Sequence, residues 1–140
     1  MEFAVRVTKR VEFCAAHRYA RPDWPEEQNR AAFGKAANLH GHNYVLEVTV
    51  EGVPSPQTGM VMDLKALKDL VTAAVLDRLD HANLNLDLPE FRTVLPTPER
   101  LAVFIWDRLA PRLQGCRLHR VRLHEDDSCY VDYLGERADG

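Results

Sequence analysis

Two long stretches of alternating residues constrain the fold of this chain most strongly. From Phe3 to Ala15 the odd positions are mostly apolar, and His17 falls on the same parity. From His40 to Val50 the even positions hold two histidines followed by apolar residues and one tyrosine. Successive residues of a strand point to opposite faces of a sheet, so each stretch predicts a long strand with one buried face.

The middle of the chain carries helix signals. Asp63 stands in an N-cap position, ahead of apolar residues that recur at helical spacing as far as Leu79. A second helix is predicted to begin with Thr97 as its N-cap and Pro98 as its first helical residue. Residues 19–35 show no clear periodicity, and we expect a loop or an irregular excursion there.

Two further strands are predicted near the C-terminus. The first has an inward-facing set of odd positions: His119, Val121, Leu123 and Glu125. The second covers residues 130–134. The resulting order, ββααββ, predicts an α+β fold in which an antiparallel sheet carries its two helices on one face.

The composition fits one domain. A chain of 140 residues with 46% hydrophobic residues can build a single core, so residues 1–140 are expected to form one domain. The net charge of −3 comes from 18 basic and 21 acidic residues spread along the chain, which argues against a nucleic-acid partner. The chain starts without a signal-peptide pattern, and no apolar run approaches the roughly 20 residues that span a bilayer. We therefore expect a soluble, cytoplasmic protein with no membrane partner, and free thiols at its three cysteines.

Three histidines form a candidate metal site. His40 and His42 lie two residues apart on a predicted strand and therefore point the same way, roughly 6.6 Å apart. His17 from the neighbouring strand would complete a three-nitrogen site with one tetrahedral position open, the pattern of catalytic zinc. Imidazole also suits copper, iron and nickel, so the ligand type alone does not select the metal. The alternative is that these histidines are core residues with hydrogen-bond partners.

Glu125 is a candidate ligand-binding carboxylate. It follows Val121 and Leu123 on the apolar parity, where an ionised carboxylate must be paired or must accept hydrogen bonds. Such a group can hold the two parallel N–H donors of a guanidine-like edge. The alternative is that the strand ends at Leu123 and Glu125 belongs to a solvated acidic run.

Asp80 and His81 form a candidate acid–base pair, because a carboxylate near an imidazole orients it for proton transfer. Neighbouring residues contact each other's side chains only where the backbone turns. The alternative is a helix C-terminus at which His81 binds the last carbonyls and Asn83 and Asn85 form a turn.

Taken together, these residues resemble the family of 6-pyruvoyl-tetrahydropterin and 6-carboxytetrahydropterin synthases. The matching segments run in family order along nearly the whole chain: FCAAHR (13–18), FGK (33–35), LHGHNY (39–44), TGMVMD (58–63), LDHANLN (79–85), PTPE (96–99) and Glu125. Each segment alone is weak, but the series is specific.

The resemblance implies a tunnelling fold, whose ββααββ subunits close into barrels and commonly stack as homohexamers. It also implies Zn²⁺ on His17, His40 and His42, and a pterin ring anchored by Glu125 with help from Thr97. Asp80 and His81 would take part in proton transfer. The implied substrate is 7,8-dihydroneopterin triphosphate, which one branch converts by loss of triphosphate and the other by further loss of acetaldehyde.

The chain departs from the family pattern at one position. Members of both branches carry a cysteine a few residues before the HxH pair, where it serves as the proton-abstracting base. Here that position is Ala36, whose methyl group cannot accept a proton. Cys14 has even parity, opposite to that of His17, and is expected to be a small buried residue. Another base, with His81 as the first candidate, a different reaction, or an engineered inactive variant would each explain Ala36.

The sequence therefore predicts a zinc-dependent pterin synthase-like lyase that lacks the usual cysteine. Two alternatives stay open: a catalytically silent pterin-binding protein, and a zinc hydrolase acting on another heterocycle.

Overall fold

A computed structural model describes residues 3–136, so the ends of the predicted 1–140 domain, residues 1–2 and 137–140, lie outside the described residues. Within residues 3–136 there is one sheet of five strands: β1 (Val5–His17), β2 (His40–Gly52), β3 (Ala82–Asn83), β4 (Arg117–Asp126) and β5 (Cys129–Tyr133). Their order is β3-β1-β2-β4-β5. The pairs are antiparallel except for β3, which runs parallel to β1. The predicted α+β class is confirmed, with one parallel edge added.

The helices are α1 (Glu26–Phe33), α2 (Leu64–Val71), α3 (Asp77–Leu79), α4 (Leu84–Asp87) and α5 (Pro98–Leu109). A π-helical segment, Thr72–Leu76, joins α2 to α3. Both predicted N-caps are confirmed. The Asp63 carboxylate accepts hydrogen bonds from the backbone N–H groups of residues 65 and 66, and the Thr97 hydroxyl accepts one from the backbone N–H of Arg100. None of the helices in this part of the chain is long and apolar enough to cross a membrane.

The core lies between the sheet and its helices. The even positions of β2 from Tyr44 to Val50 are at most 1% exposed. They belong to one cluster with Leu67 of α2 and Leu101 and Ile105 of α5. Complete burial of each such Leu or Ile side chain contributes about 1.5–3 kcal/mol. The inward parity predicted for β2, with the helices on one face of the sheet, is confirmed.

The expected loop at residues 19–35 is wrong in its second half. Residues 26–33 form α1, and a 3₁₀ turn, Gly34–Ala37, follows it. The buried residue of α1 is Asn29, whose side chain accepts from the backbone N–H of Arg21 and donates to its carbonyl. A helix anchored by a buried polar residue has no apolar stripe, which explains the missing periodicity.

The inward face predicted for β4 is wrong at its first residue. Thr49 of β2 pairs with Arg120 and Val50 with Leu118, so His119 is an extra residue in a β-bulge. Leu118, 7% exposed, therefore joins the core instead of His119. Beyond the bulge, Val121 and Leu123 are fully buried as predicted.

Candidate metal centre and its surroundings

Three histidine rings meet where β1 ends and β2 begins. The register pairs His17 with His40 and Ala15 with His42, so the three rings share the helix-facing side of the sheet. The His17 ring centroid lies 4.6 Å from that of His40 and 5.1 Å from that of His42. One ligand nitrogen from each ring lies within 4.8 Å of the others. The structure thus brings the three predicted histidines together.

Backbone carbonyls set the orientation of two rings. His17 Nδ1 lies 2.8 Å from the carbonyl oxygen of Pro96, and His40 Nδ1 lies 2.7 Å from that of Asn38. A carbonyl oxygen only accepts, so each Nδ1 carries the proton and each Nε2 presents a lone pair. Hydrogen bonds of this kind orient most metal-binding histidines.

The inward nitrogens lack protein partners. His17 Nε2 and His42 Nε2 are buried and have no hydrogen-bond partner among the described residues. Buried polar atoms are usually satisfied, and a cation between the rings would satisfy these two. Three neutral imidazoles with one coordination position left for substrate fit a catalytic zinc ion.

The His17 ring is held in its neutral form. The pKa of His17 is lowered from 6.5 to about 4, mainly by burial. The hydrogen bond to Pro96 raises it, and the nearby His40 and His42 add smaller lowering effects. A neutral imidazole is the form that binds a metal, so His17 needs to release no proton at neutral pH.

Glu125 lies beside the histidines. Its Oε1 is 3.7 Å from His42 Nε2, and its Oε2 is buried without a hydrogen-bond partner in residues 3–136. The alternative in which the strand ends at Leu123 is wrong, because β4 continues to Asp126. The site therefore holds an acceptor oxygen that is free to bind a donor from a ligand.

Two tyrosines that the sequence did not single out form a wall of the site. The Tyr19 ring lies 5.1 Å from His17, and the Tyr44 ring lies 5.6 Å from His42. Burial, and next the charge of Glu125, raise the pKa of Tyr19 to about 12 and that of Tyr44 well above its ordinary value. Both phenols therefore stay protonated at neutral pH. Tyr44 could have been found by its parity, which it shares with His42.

The Asp80 and His81 side chains contact each other, with Nδ1 of His81 3.0 Å from Oδ1 of Asp80. The backbone turn that permits this contact is at His81, which has a φ of 63° and is the sole non-glycine residue with positive φ in residues 3–136. The His81 N–H donates to the carbonyl of Cys14 across the sheet edge, at 2.6 Å. A helix does end here, at Leu79, as the alternative expected, but the contacts of His81 are to Asp80 and Cys14. Strained backbone of this kind is common at functional sites.

The acid–base pair does not lie with the three histidines. Asp80 and His81 cluster instead with Cys14, and the candidate ligand atoms of these three residues lie within 4.8 Å of one another. Cys14 has even parity on β1 and so projects from the face opposite to that of His17. The expectation that Cys14 is a small buried residue is wrong, because Cys14 is partly exposed.

Thr97 uses its hydroxyl as an acceptor for the N-cap of α5, at 3.2 Å from the backbone N of Arg100. Its neighbour Pro96 is the residue of this segment that bonds a ring of the histidine cluster. The side chains of Pro96 and Asn38 give no signal for this role, since each residue acts through its backbone carbonyl. Contact between Thr97 and a pterin remains a prediction.

A family model described as 6-pyruvoyl tetrahydropterin synthase matches residues 6–136. The chain belongs to this family. The chain is 40% identical to the 6-pyruvoyl tetrahydrobiopterin synthase of Dictyostelium discoideum, over 97% of this chain and 100% of the relative. It is 43% identical to that of Homo sapiens, over 94% and 92%. The solved structure of Caenorhabditis elegans 6-pyruvoyl tetrahydropterin synthase matches with a TM-score of 0.88 at 33% identity, covering 95% and 96% of the two chains. The tunnelling fold predicted for the subunit is confirmed.

The chain is also similar to relatives with other names. The chain is 29% identical to a 6-carboxy-5,6,7,8-tetrahydropterin synthase of Rickettsia conorii, over 91% of this chain and 99% of the relative. It is 35% identical to a dihydroneopterin monophosphate aldolase of Pyrococcus furiosus, over 91% and 95%. Overall similarity therefore does not select one reaction. The residues of the site have to decide between the reactions.

Ala36, the departure from this family's pattern, lies next to the metal centre. The Ala36 carbonyl accepts a hydrogen bond from the backbone N–H of Tyr19 at 2.8 Å, and the Tyr19 ring packs against His17 and His40. A reactive side chain at position 36 would therefore be close to the histidines. The methyl group present supplies no base there.

Proposed function

We propose that this protein is a zinc-dependent lyase acting on 7,8-dihydroneopterin triphosphate, of the 6-pyruvoyl- or 6-carboxytetrahydropterin synthase type. One observation carries the proposal. The imidazole nitrogens of His17 and His42 that face inward have no hydrogen-bond partner in residues 3–136. They lie beside the Glu125 carboxylate, which also has an oxygen without such a partner. A metal ion and a ligand with N–H donors would satisfy these atoms together.

His17, His40 and His42 would hold the zinc ion. Bound zinc would supply Lewis-acid polarisation of substrate oxygens. The chain itself fixes the rings through the carbonyls of Pro96 and Asn38, so the ligand nitrogens are oriented before the metal arrives.

Glu125 would anchor the pterin ring. Its buried Oε2 and its Oε1 can accept two parallel hydrogen bonds from the 2-amino and ring N–H donors of a pterin. Hydrogen bonds to a carboxylate are about twice as strong as those between neutral groups. The protonated phenols of Tyr19 and Tyr44 add aromatic walls and donors next to this carboxylate.

Asp80 and His81 would transfer protons, but not to a substrate in their own chain's metal centre. The pair lies with Cys14 on the sheet face opposite to His17. We infer that a second copy of the chain supplies the pair to each metal centre, within the homohexamer that the family resemblance implies. Symmetric association makes every such site equivalent.

A second candidate is an aldolase-type carbon–carbon lyase on a dihydroneopterin phosphate. Ala36 favours it, because the thiol base expected for the synthase reaction is absent from that position. The 35% identity to an enzyme named dihydroneopterin monophosphate aldolase also supports it. Both candidates use the same metal centre and the same carboxylate anchor.

Mass spectrometry of reaction products tests both. Zinc-loaded protein is incubated with dihydroneopterin triphosphate and, separately, with the monophosphate, and a His42→Ala variant serves as the metal-free control. Release of triphosphate with a pyruvoyl or carboxy product supports the first candidate. Release of a two-carbon aldehyde that still carries its phosphate group, without free triphosphate, supports the second. If neither substrate turns over, and Ala36→Cys does not turn over either, the lyase proposal fails. Calorimetric pterin binding without turnover would then indicate a silent binding protein.

A further inference from the structure

A thiol stands beside the acid–base pair. The Cys14 sulfur and the candidate ligand atoms of Asp80 and His81 lie within 4.8 Å of one another. This chain therefore lacks a thiol at position 36 but has one next to the two residues to which proton transfer is assigned.

Backbone contacts hold the three residues in register. The Cys14 N–H donates to Asp80 Oδ1 at 3.0 Å, and the His81 N–H donates to the Cys14 carbonyl at 2.6 Å. Directly after them, β3 pairs Ala82 with Ala15 of β1. The sheet edge thus holds the backbones of Cys14 and His81 and the carboxylate of Asp80 next to one another.

The cluster opens onto a space that can admit a ligand. A depression of about 370 Å³ is lined, among others, by Cys14, Ala16, Gly41, Asn43 and His81. This volume is within the range of small-molecule sites. Small side chains at residues 16 and 41 leave the sheet surface open beside the sulfur. The His81 side chain is 79% exposed, so its ring also reaches solvent.

We propose that Cys14, His81 and Asp80 form a thiol–imidazole–carboxylate proton-transfer group, in which Cys14 takes the place of the thiol that is absent at position 36. A carboxylate that orients an imidazole, which in turn activates a thiol, is a recurring arrangement for such chemistry. This inference rests on the proposed lyase function. Cys14 belongs to the same copy of the chain as His81, so a substrate that meets His81 also meets the sulfur.

Each proton that the group takes up or releases is accounted for in the cycle. Cys14 first gives its proton to the His81 imidazole, and Asp80 stabilises the resulting cation. The Cys14 thiolate then accepts the proton from the substrate carbon, and the electron pair of that C–H bond remains on the substrate as the bond to triphosphate breaks. The His81 imidazolium gives its proton to the departing phosphate oxygen. The group ends with the thiol and the neutral imidazole with which it began.

Turnover of a Cys14→Ser variant is the first test. Serine keeps the size and the backbone contacts, so zinc content and calorimetric pterin affinity should match those of the wild type. We expect kcat to fall about 100-fold or more, the usual range for loss of a general base. The matched control is Cys116→Ser, because Cys116 lies next to Gly52 at the other end of the sheet.

Thiol alkylation provides a readout that does not depend on turnover. Peptide mapping after iodoacetamide treatment should show Cys14 alkylated about tenfold more slowly in His81→Asn than in the wild type, because thiolate is the reacting form. Asparagine tolerates the positive φ at this position. Cys116 should be alkylated equally in both proteins.

The outcomes separate the two levels of inference. If Cys14→Ser turns over as fast as the wild type, the role of Cys14 is overturned and the lyase function stands. The same holds if Cys14 is alkylated at the same rate in His81→Asn and in the wild type. A wild type and an Ala36→Cys variant that are both inactive on the two pterin phosphates defeat the lyase function and the role of Cys14 with it. An inactive wild type whose Ala36→Cys variant turns over overturns the role of Cys14 alone. If the wild type binds a second equivalent of zinc and Cys14→Ser does not, the cluster is a metal site. That result would overturn the proton-transfer assignment.

Discussion

At the scale of single residues, the histidine centre depends on atoms that have no partner in the protein. His42 is the ligand whose ring lies next to Glu125, with Nε2 buried and without a hydrogen bond. Removal of an outer partner of a metal ligand already costs about 10–100-fold in affinity, so loss of a ligand should cost more than this.

We therefore expect His42→Ala to lose zinc. Metal analysis of the purified variant, and calorimetric titration with zinc, should show affinity reduced by more than about 100-fold. His119→Ala is the matched control, since His119 lies in the bulge at the far end of the sheet, near Glu51. Equal zinc content in both variants would contradict a role for His42 as a ligand.

The role of Glu125 is tested by removing its charge but not its shape. Glu125→Gln keeps one acceptor oxygen and places an N–H₂ group against the ligand's donors. Pterin affinity should fall about 10–100-fold, the range expected for a lost hydrogen bond to a charged group. Isothermal calorimetry with a pterin measures this. Glu47→Gln, whose native partner is His124 at 2.6 Å, should bind pterin like the wild type; a matching loss there would mean that the effect is not specific to the site.

At the scale of secondary-structure elements, a buried carboxylate ties three strands together far from the metal centre. Glu51 of β2 accepts hydrogen bonds from Arg6 of β1 at 2.7 Å and from Arg117 of β4 at 3.1 Å. These bonds, first the one from Arg6 and then those from Arg117, lower the pKa of Glu51 from 4.5 to about 2. The ionised form of Glu51 therefore stabilises the end of the sheet opposite to the histidines.

The sign of the pH effect follows from the lowered pKa. The unfolded chain binds the Glu51 proton more readily, so this group's contribution to stability is fully present above about pH 4.5 and is lost as the pH falls from about 4.5 toward 2. Glu51→Gln should lower the urea midpoint at pH 7. Between pH 4.5 and 3 the midpoint of this variant should fall less than that of the wild type. Glu12→Gln, at an exposed position of β1, is the control. An acid limb unchanged in Glu51→Gln would contradict the assignment.

The elements that sequence could predict are those with local signals. Alternation revealed β1 and β2 because each has one apolar face, and the capping residues Asp63 and Thr97 marked two helix starts. Helix α1 was not predictable, because its buried residue is the polar Asn29. The bulge at His119 was not predictable either, since it depends on pairing with β2 and not on the sequence of β4.

Sequence located the candidate site residues and grouped the three histidines, but it did not group Cys14 with Asp80 and His81. The parity of His17, His40 and His42 placed them on one face, because the β1–β2 register preserves alternation. The position of Asp80 and His81 beside Cys14 depends on β3, which has two residues and runs parallel to β1. No pattern in a two-residue strand predicts such a contact.

At the scale of the whole molecule, the site residues occupy both faces of one sheet, and the sheet has open edges. Strand β3 pairs with β1 at residues 15 and 16, so within the described chain the same edge of β1 is unpaired at residues 5–13. Strand β5 is the other edge strand of the sheet in residues 3–136. Unpaired edges favour association with further strands.

Mixed oligomers test whether two copies share each site. His42→Ala lacks a metal ligand and His81→Asn lacks the acid–base group, so each variant alone should be inactive. If His81 acts on the metal centre of a neighbouring copy, co-expression in equal amounts should recover about a quarter of wild-type activity, because half of the sites keep the ligand and half of their neighbours keep His81. Native mass spectrometry confirms that mixed oligomers form. If both functions belonged to one chain, the mixture would stay as inactive as its parents, since no single chain carries both intact groups.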